Sequence, residues 1–278
     1  MPGNNPAMLQ NSDLFESDAV IYDLEDAVSV TEKDSARVLV SEFLASKNSF
    51  HMEVVVRING LDTDFYKDDL LAIVSDKIDT IMLPKASVKY LFDLDALLSE
   101  LEKERNLTKK INVIPIIELA TSVLEIEEIV KAPRVNGVLL GAEDLTSDLD
   151  VLRTKKGDEI LYPRMRLAVA CSAYKIDSID TPFTDTTDEQ GLITDCKTAL
   201  GLGFTSKSAI HPNQVTFINE IFVPSADKIS WALRVQEATE NAKKKGLGVF
   251  SLDGKMVDKP VIDRANKILQ KAKRYNLI

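Results

Sequence analysis

The stretch AVIYDLEDAV, residues 19–28, runs from apolar side chains straight into three carboxylates, Asp23, Glu25 and Asp26. Its first half reads as a strand buried on both faces, and the acids stand where that strand ends. They form either a polar turn or part of a site that requires negative charge. The same rhythm returns along the chain. Short, near-continuously apolar runs at 19–24, 53–58, 80–83, 113–117, 137–140, 178–181 and 204–208 alternate with longer amphipathic runs. Repeated βα units predict a parallel sheet. Seven strands are one short of a (β/α)8 barrel. Met1-Pro2-Gly3 stands where the turn after a first strand belongs. Two architectures compete: an open doubly wound sheet, and a TIM-type (β/α)8 barrel whose first strand is missing from this chain. The barrel is favoured because chemically capable residues fall at strand ends all round the series, whereas an open sheet gathers its site at one switch point. Seven strands alone would leave two unpaired edges. The gap is therefore expected to be filled, through a trimmed or misassigned start or a rearranged N-terminal segment.

The helical runs carry their own signals. Residues 32–44 place Ala36, Leu39, Val40, Phe43 and Leu44 on one face, and Ser29 with Glu32 has capping-box spacing. Ser122 with Glu125 has the same spacing before 125–130. Pro163 suits the first turn of a helix reaching residue 173, and Gly201 and Gly203 end the helix that starts at Glu189. After Ile221 the rhythm changes to a long helix over 226–245, the stretch GLGVFSLDGKMVDKP and a last helix over 260–274. The expected domains are a barrel over 1–222 and a C-terminal helical extension over 223–278, packing on a neighbouring subunit.

Composition narrows the function. The 278 residues are 45% hydrophobic and carry a net charge of -10, which argues against nucleic acid and anionic membrane as partners. There is no apolar run of membrane-spanning length and no signal-peptide pattern at the start. Cys171 and Cys196 read as reduced, buried, cytoplasmic thiols.

Five features lie at or just past strand ends: the DLED acids, Arg57 in VVVRING, Pro84-Lys85 in IMLPK, Glu118 in VIPIIE and Asp144 in VLLGAEDL. Glu118 and Asp144 follow consecutive strands, and two carboxylates on neighbouring tips can share a hard cation such as Mg2+. Each can equally cap a helix or turn. Arg57 either pairs with a buried acid, from Asp23, Glu25 or Asp26, or holds a substrate carboxylate. Gly141 allows close approach to the backbone at GAED. Lys85, beside so many acids, reads as an ion-pair partner rather than a Schiff-base lysine. His211 reads as structural, and Lys243, Lys244 and Lys245 as a solvated helix end. Asp258, before Lys259-Pro260, has the form of a helix N-cap.

Taken in register, PGNNPAML, YDLEDAV, VRING, MLPKA, PIIE, LLGAEDLTSDL, IDTPFTD, KSAIHPNQ and SLDGKMVDKP span nearly the whole chain. They resemble the citrate lyase β-subunit family, within the metal-dependent aldolase and acyl-thioester lyase (β/α)8 barrels. That family usually carries a further apolar strand before PGN. The resemblance implies Mg2+ held by Glu118 and Asp144. It implies Arg57 against substrate, with Lys85 and the backbone of Gly141 and Ala142 as further substrate contacts. Asp258 becomes a tail-borne acid that moves a proton at a neighbouring subunit's site. Glu25 and Asp26 are expected to support metal-bound water or orient Arg57 and Lys85. The implied reaction cleaves a citryl thioester on an acyl carrier protein to oxaloacetate and an acetyl thioester. Implied partners are the carrier and transferase subunits of a citrate lyase complex, around a homotrimer. A basic cluster, Arg153, Lys155 and Lys156, or the pair Lys109-Lys110, would dock an acidic carrier. Alternatives are a stand-alone lyase for citramalyl-CoA or malyl-CoA, and a non-catalytic barrel subunit.

Overall fold

The computed structural model describes residues 1–244 and 249–278, in two compact units, Met1–Ile218 and Asn219–Ile278. Within the first unit the strands are β1 (Ala19–Asp23), β2 (Glu53–Arg57), β3 (Thr80–Leu83), β4 (Asn112–Ile117), β5 (Gly137–Leu140), β6 (Asp177–Asp180) and β7 (Ser206–Lys207). They form one parallel sheet in strictly sequential order, β1 to β7. A doubly wound sheet reverses its order at a switch point. The sequential order removes that alternative and leaves a TIM-type arrangement short of one strand among the described residues.

Strands β1 to β5 are largely apolar on both sides for a physical reason. Val55, Met82, Ile114, Ile116 and Leu139 cluster together, with Ala19, Ile21 and Ile179 packed against them. The alternating residues Tyr22, Val54, Val56 and Ile81 are buried too. Successive strand side chains point to opposite faces, so both faces are covered.

The helices of this unit are α1 (Pro6–Gln10), α2 (Lys33–Ser46), α3 (Tyr66–Ile73), α4 (Val88–Glu104), α5 (Ala120–Leu124), α6 (Ile126–Ile129), α7 (Ala142–Asp148), α8 (Leu161–Tyr174) and α9 (Glu189–Leu202). The division between units falls inside α10 (Val215–Phe222).

Met1–Gly3 is more than a turn. The Met1 amine donates to Ile21 O at 2.7 Å. Asp23 N donates to Met1 O and Gly3 N to Asp23 O, both at 2.8 Å, with a parallel bridge between Pro2 and Asp23. The first residues thus lie along β1 on the edge opposite β2. A Cβ on Gly3 would stand 2.8 Å from Asp23 O, so only glycine permits this approach.

Two capping expectations are corrected. Ser29 makes no cap hydrogen bond; its Oγ turns to Glu32 Oε2, and residues 30–32 form a 3-10 turn before α2. Ser122 Oγ reaches Ala86 O instead, and Glu125 Oε2 accepts from Val88 N at 3.1 Å. In both cases a tertiary or side-chain partner outcompetes the local backbone. Gly203, at φ +102, does end α9.

In the second unit, α11 (Ala226–Lys244) and α12 (Lys259–Arg274) enclose a core of Ile229, Ala232, Val235, Val257, Ala265, Leu269 and Ala272. Arg264 lies over the Trp231 ring at 4.9 Å. Between the helices is an antiparallel hairpin, β8 (Phe250–Leu252) and β9 (Lys255–Val257), turned by Asp253 and Gly254, both left-handed. Lys245, expected in the long helix, and the first GLG of GLGVFSLDGK lie outside the described residues. No described helix is long and apolar enough to cross a membrane.

Candidate functional site

The DLED acids and Arg57 meet because β1 and β2 are in register, with Asp23 beside Arg57. Arg57 Nε donates to Asp23 Oδ1 at 2.8 Å and Nη2 to Oδ2 at 2.5 Å, a bidentate fork. Asp23 also accepts from Glu25 N and Ala27 N. It therefore serves as turn acid and arginine partner at once. Burial pushes the Asp23 carboxyl up, but the hydrogen bonds and charge of Arg57 outweigh it and hold it below the usual range. The Arg57 guanidinium is held above its ordinary value: Asp23, Glu25 and Asp26 outweigh the burial that opposes its charge.

Glu25 is in the opposite condition. Burial, against the pull of Arg57 and with repulsion from Asp26 and Asp23, pushes its carboxyl up to about 7. Its Oε2 lies 3.0 Å from Arg57 Nη1, yet that contact is off the N–H direction and the atom has no hydrogen bond. Asp26 is more distant, 3.8 Å from Nη1, and exposed. Sequence reasoning placed Glu25 and Asp26 foremost; the fork belongs to Asp23.

The loop beneath them is held by residues the sequence reading missed. Lys33 Nζ donates to Leu24 O and Glu25 O at 2.8 and 2.7 Å. Asn59 Nδ2 donates to Leu24 O and to buried Asp69. The Asn of VRING, two residues past Arg57, was the available signal.

Glu118 follows β4 and is buried. Its Oε1 accepts from Lys85 N at 2.5 Å, with Lys85 held at φ +47. A left-handed backbone at a non-glycine residue is a local cost that the surroundings must enforce. Burial, despite that hydrogen bond, and with the charges of Glu25 and Asp144 added, pushes Glu118 up to about 8. Asp144 is exposed in the first turn of α7. Gly141 precedes α7, and a Cβ there would meet Glu118 Cβ at 2.7 Å and Oε2 at 2.8 Å. The close approach that glycine permits is made by the Glu118 side chain.

Several expectations change here. Gly141 N donates to Ile117 O at 2.9 Å, and Ala142 N to Thr181 Oγ1 at 3.2 Å. Both N–H groups are engaged by the β4 and β6 tips in this structure. The basic cluster is ion-paired with acids of this chain. Arg153 pairs with Glu159 at 2.7 Å, Lys155 with Asp185 and Asp188 at 2.7 Å each, and Lys156 with Asp158 at 2.6 Å. Lys109 pairs with Asp79 at 2.8 Å. Lys85 Nζ is loosely placed, 3.9 Å from Asp62. His211 Nδ1 caps the 3-10 turn at Pro212–Gln214. Burial raises Cys171 to about 12 and Cys196 to about 11, which leaves both thiols protonated and inert. Asp258 is half-buried and caps α12, accepting from Val261 N at 3.3 Å.

The first unit thus carries a parallel β/α sheet with an acid-rich, arginine-bearing rim at its C-terminal strand ends. A family model for HpcH/HpaI aldolase/citrate lyase matches residues 1–212, and the chain belongs to that family. It is 41% identical to the citrate lyase subunit beta of Leuconostoc mesenteroides subsp. cremoris, over 100% of this chain and 93% of that one. Among solved structures, CitE of Mycobacterium tuberculosis in complex with magnesium, acetoacetate and coenzyme A superposes with TM-score 0.79 at 28% identity, covering 98% of this chain and 96% of that one. The citrate lyase beta subunit of the same organism, complexed with oxaloacetate and magnesium, gives TM-score 0.67 at 26% identity over 81% and 95% of the two chains.

Proposed function

We propose that this chain is a Mg2+-dependent carbon–carbon lyase that cleaves a citryl thioester to oxaloacetate and an acetyl thioester. The observation that carries the reading is the pair of buried carboxylates, Glu25 and Glu118, raised to about 7 and about 8, with Asp144 adding to the repulsion on Glu118 and Glu25 Oε2, though beside Arg57, without a hydrogen bond. Such a cluster is short of positive charge. Hard oxygen donors, one of them lacking a hydrogen bond, fit Mg2+, which takes few protein ligands and fills the rest with water and substrate. Glu118 and Asp144 would hold the ion, and Glu25 with Asp26 would receive its water. Bound Mg2+ supplies Lewis-acid polarisation of the substrate hydroxyl and the emerging keto group.

Arg57 is fixed by Asp23 before substrate arrives, so its charge is preorganised where negative charge develops. Lys85 can leave its weak partner Asp62 for a substrate carboxylate. Asp258, supplied by a neighbouring subunit of a homotrimer, is the acid proposed to protonate the thioester enolate. In this reading the 223–278 segment is the extension that delivers it, and the complex adds carrier and transferase subunits in the cytoplasm. A second reading, a stand-alone lyase for citramalyl-CoA or malyl-CoA, gains support from the pairing of Arg153, Lys155 and Lys156 with acids of this chain. Turnover of citryl-carrier thioester against citramalyl-CoA, each with Mg2+, decides. Cleavage of the carrier substrate alone is the expected result.

A further inference from the structure

Arg164, Asp180, Asp195 and Lys207 form a buried quartet beneath the tips of β6 and β7. Arg164 Nε and Nη2 each donate to Asp180 at 2.9 Å, and Nη2 donates to Asp195 at 2.7 Å. Lys207 Nζ donates to Asp180 and Asp195, both at 2.6 Å. Its third donor goes outside the quartet, to Thr181 O at 2.5 Å. Thr181 is fully buried, and its Oγ1 accepts the first N–H of α7, from Ala142. Two bonds therefore hold the start of α7. One is backbone, Gly141 N to Ile117 O at the tip of β4, the residue before Glu118. The other is the Thr181 hydroxyl at the tip of β6. Asp144 rides on the first turn of that helix.

We propose that Thr181 is a positioning residue for the metal site: clamped by Lys207, it sets where α7 starts and so where Asp144 stands relative to Glu118. This rests on the reading that Glu118 and Asp144 hold Mg2+. Thr181 is assigned this role through α7, since its hydroxyl is engaged by Ala142 N. Its hydroxyl fixes the N-terminal end of α7, as Asp148, accepting from Ala120 N at 2.7 Å, ties the other end of the helix to the chain just past Glu118. Groups that orient a ligand from behind commonly change metal affinity by about 10–100-fold.

The test is Mn2+ binding, read from the free-ion signal in electron paramagnetic resonance, on the full chain without substrate. Thr181→Val keeps the volume and removes the acceptor; Thr181→Ser keeps the acceptor. The expected result is affinity weaker by about tenfold or more in Thr181→Val, near wild type in Thr181→Ser. If Thr181→Val does not fold, Thr181→Ala carries the same expectation. Unchanged affinity with only a lowered melting temperature, or failure of serine to restore binding, overturns the positioning role while the metal site stands. A wild-type chain that binds no Mn2+ overturns the metal site and this inference with it.

Discussion

Two buried charge clusters in the same unit are built on opposite terms. The quartet of Arg164, Asp180, Asp195 and Lys207 balances two cations against two anions, and its acids and cations satisfy one another. The rim cluster sets Asp23, Glu25, Glu118 and Asp144 chiefly against Arg57, leaves Glu25 Oε2 without a hydrogen bond, and raises two of its acids. A balanced buried network is complete by itself, and breaking it is costly. An unbalanced one is incomplete until something positive arrives, and perturbed carboxylates of this kind mark functional sites. One cluster is complete within the fold; the other, in the proposed function, takes a cation.

Mutation should separate the two. Glu118→Gln is expected to lower Mg2+ affinity by more than about 100-fold, measured by calorimetry, and to abolish turnover. It should leave metal-free stability intact, because it removes repulsion from a crowded site. Lys207→Met should do the reverse. It leaves two buried carboxylates to share Arg164 alone and is expected to cost about 3–5 kcal/mol in urea unfolding. Equal destabilisation by both substitutions would erase the distinction. Asp258→Asn sharpens it further. Asparagine caps a helix about as well as aspartate, so stability should hold within roughly 0.5 kcal/mol. Turnover should nevertheless be lost, with Mg2+-dependent oxaloacetate binding retained. Full activity in this variant would leave Asp258 as a cap alone.

The smallest effect is in pH. Glu25 and Glu118 have folded values of about 7 and about 8, above the ordinary 4.5. The folded state therefore binds more protons than the unfolded state in that window. Their contribution to metal-free stability is complete below 4.5 and is lost as pH rises through about 7 to 8. Mg2+ binding requires the ionised forms and runs the other way. The melting-temperature increase caused by Mg2+ should thus be larger at about pH 8.5 than at about pH 6. An increase independent of pH would separate the raised carboxylates from the metal.

The two clusters were unequally legible in the sequence. Arg57, Glu118 and the DLED acids stand at the ends of apolar runs, where a polar residue is conspicuous, and the strand rhythm alone located them. The strand order followed from the βα alternation. Asp180 and Lys207 also close their strands, but each reads as an ordinary strand-end polar residue. Arg164 and Asp195 lie within helices, and nothing local says that they turn inward. Long-range partners also displaced the two capping boxes, where Ser122 and Glu125 serve the α4 entrance rather than their own helix. The Asp253-Gly254 hairpin was readable from its turn dipeptide and was missed. Asp23 was underweighted because strand alternation fixes the side on which a residue points, not how many partners it meets there.

The central claim is that the rim acids, raised by burial and mutual repulsion, are the seat of a divalent cation. Mg2+ calorimetry at about pH 7, repeated in buffers of different ionisation enthalpy, tests it most directly, since binding must expel the protons held by Glu25 and Glu118. The account predicts a single site, with proton release that disappears in Glu118→Gln along with most of the binding. Absent binding in the wild type, or binding without proton release, would contradict it.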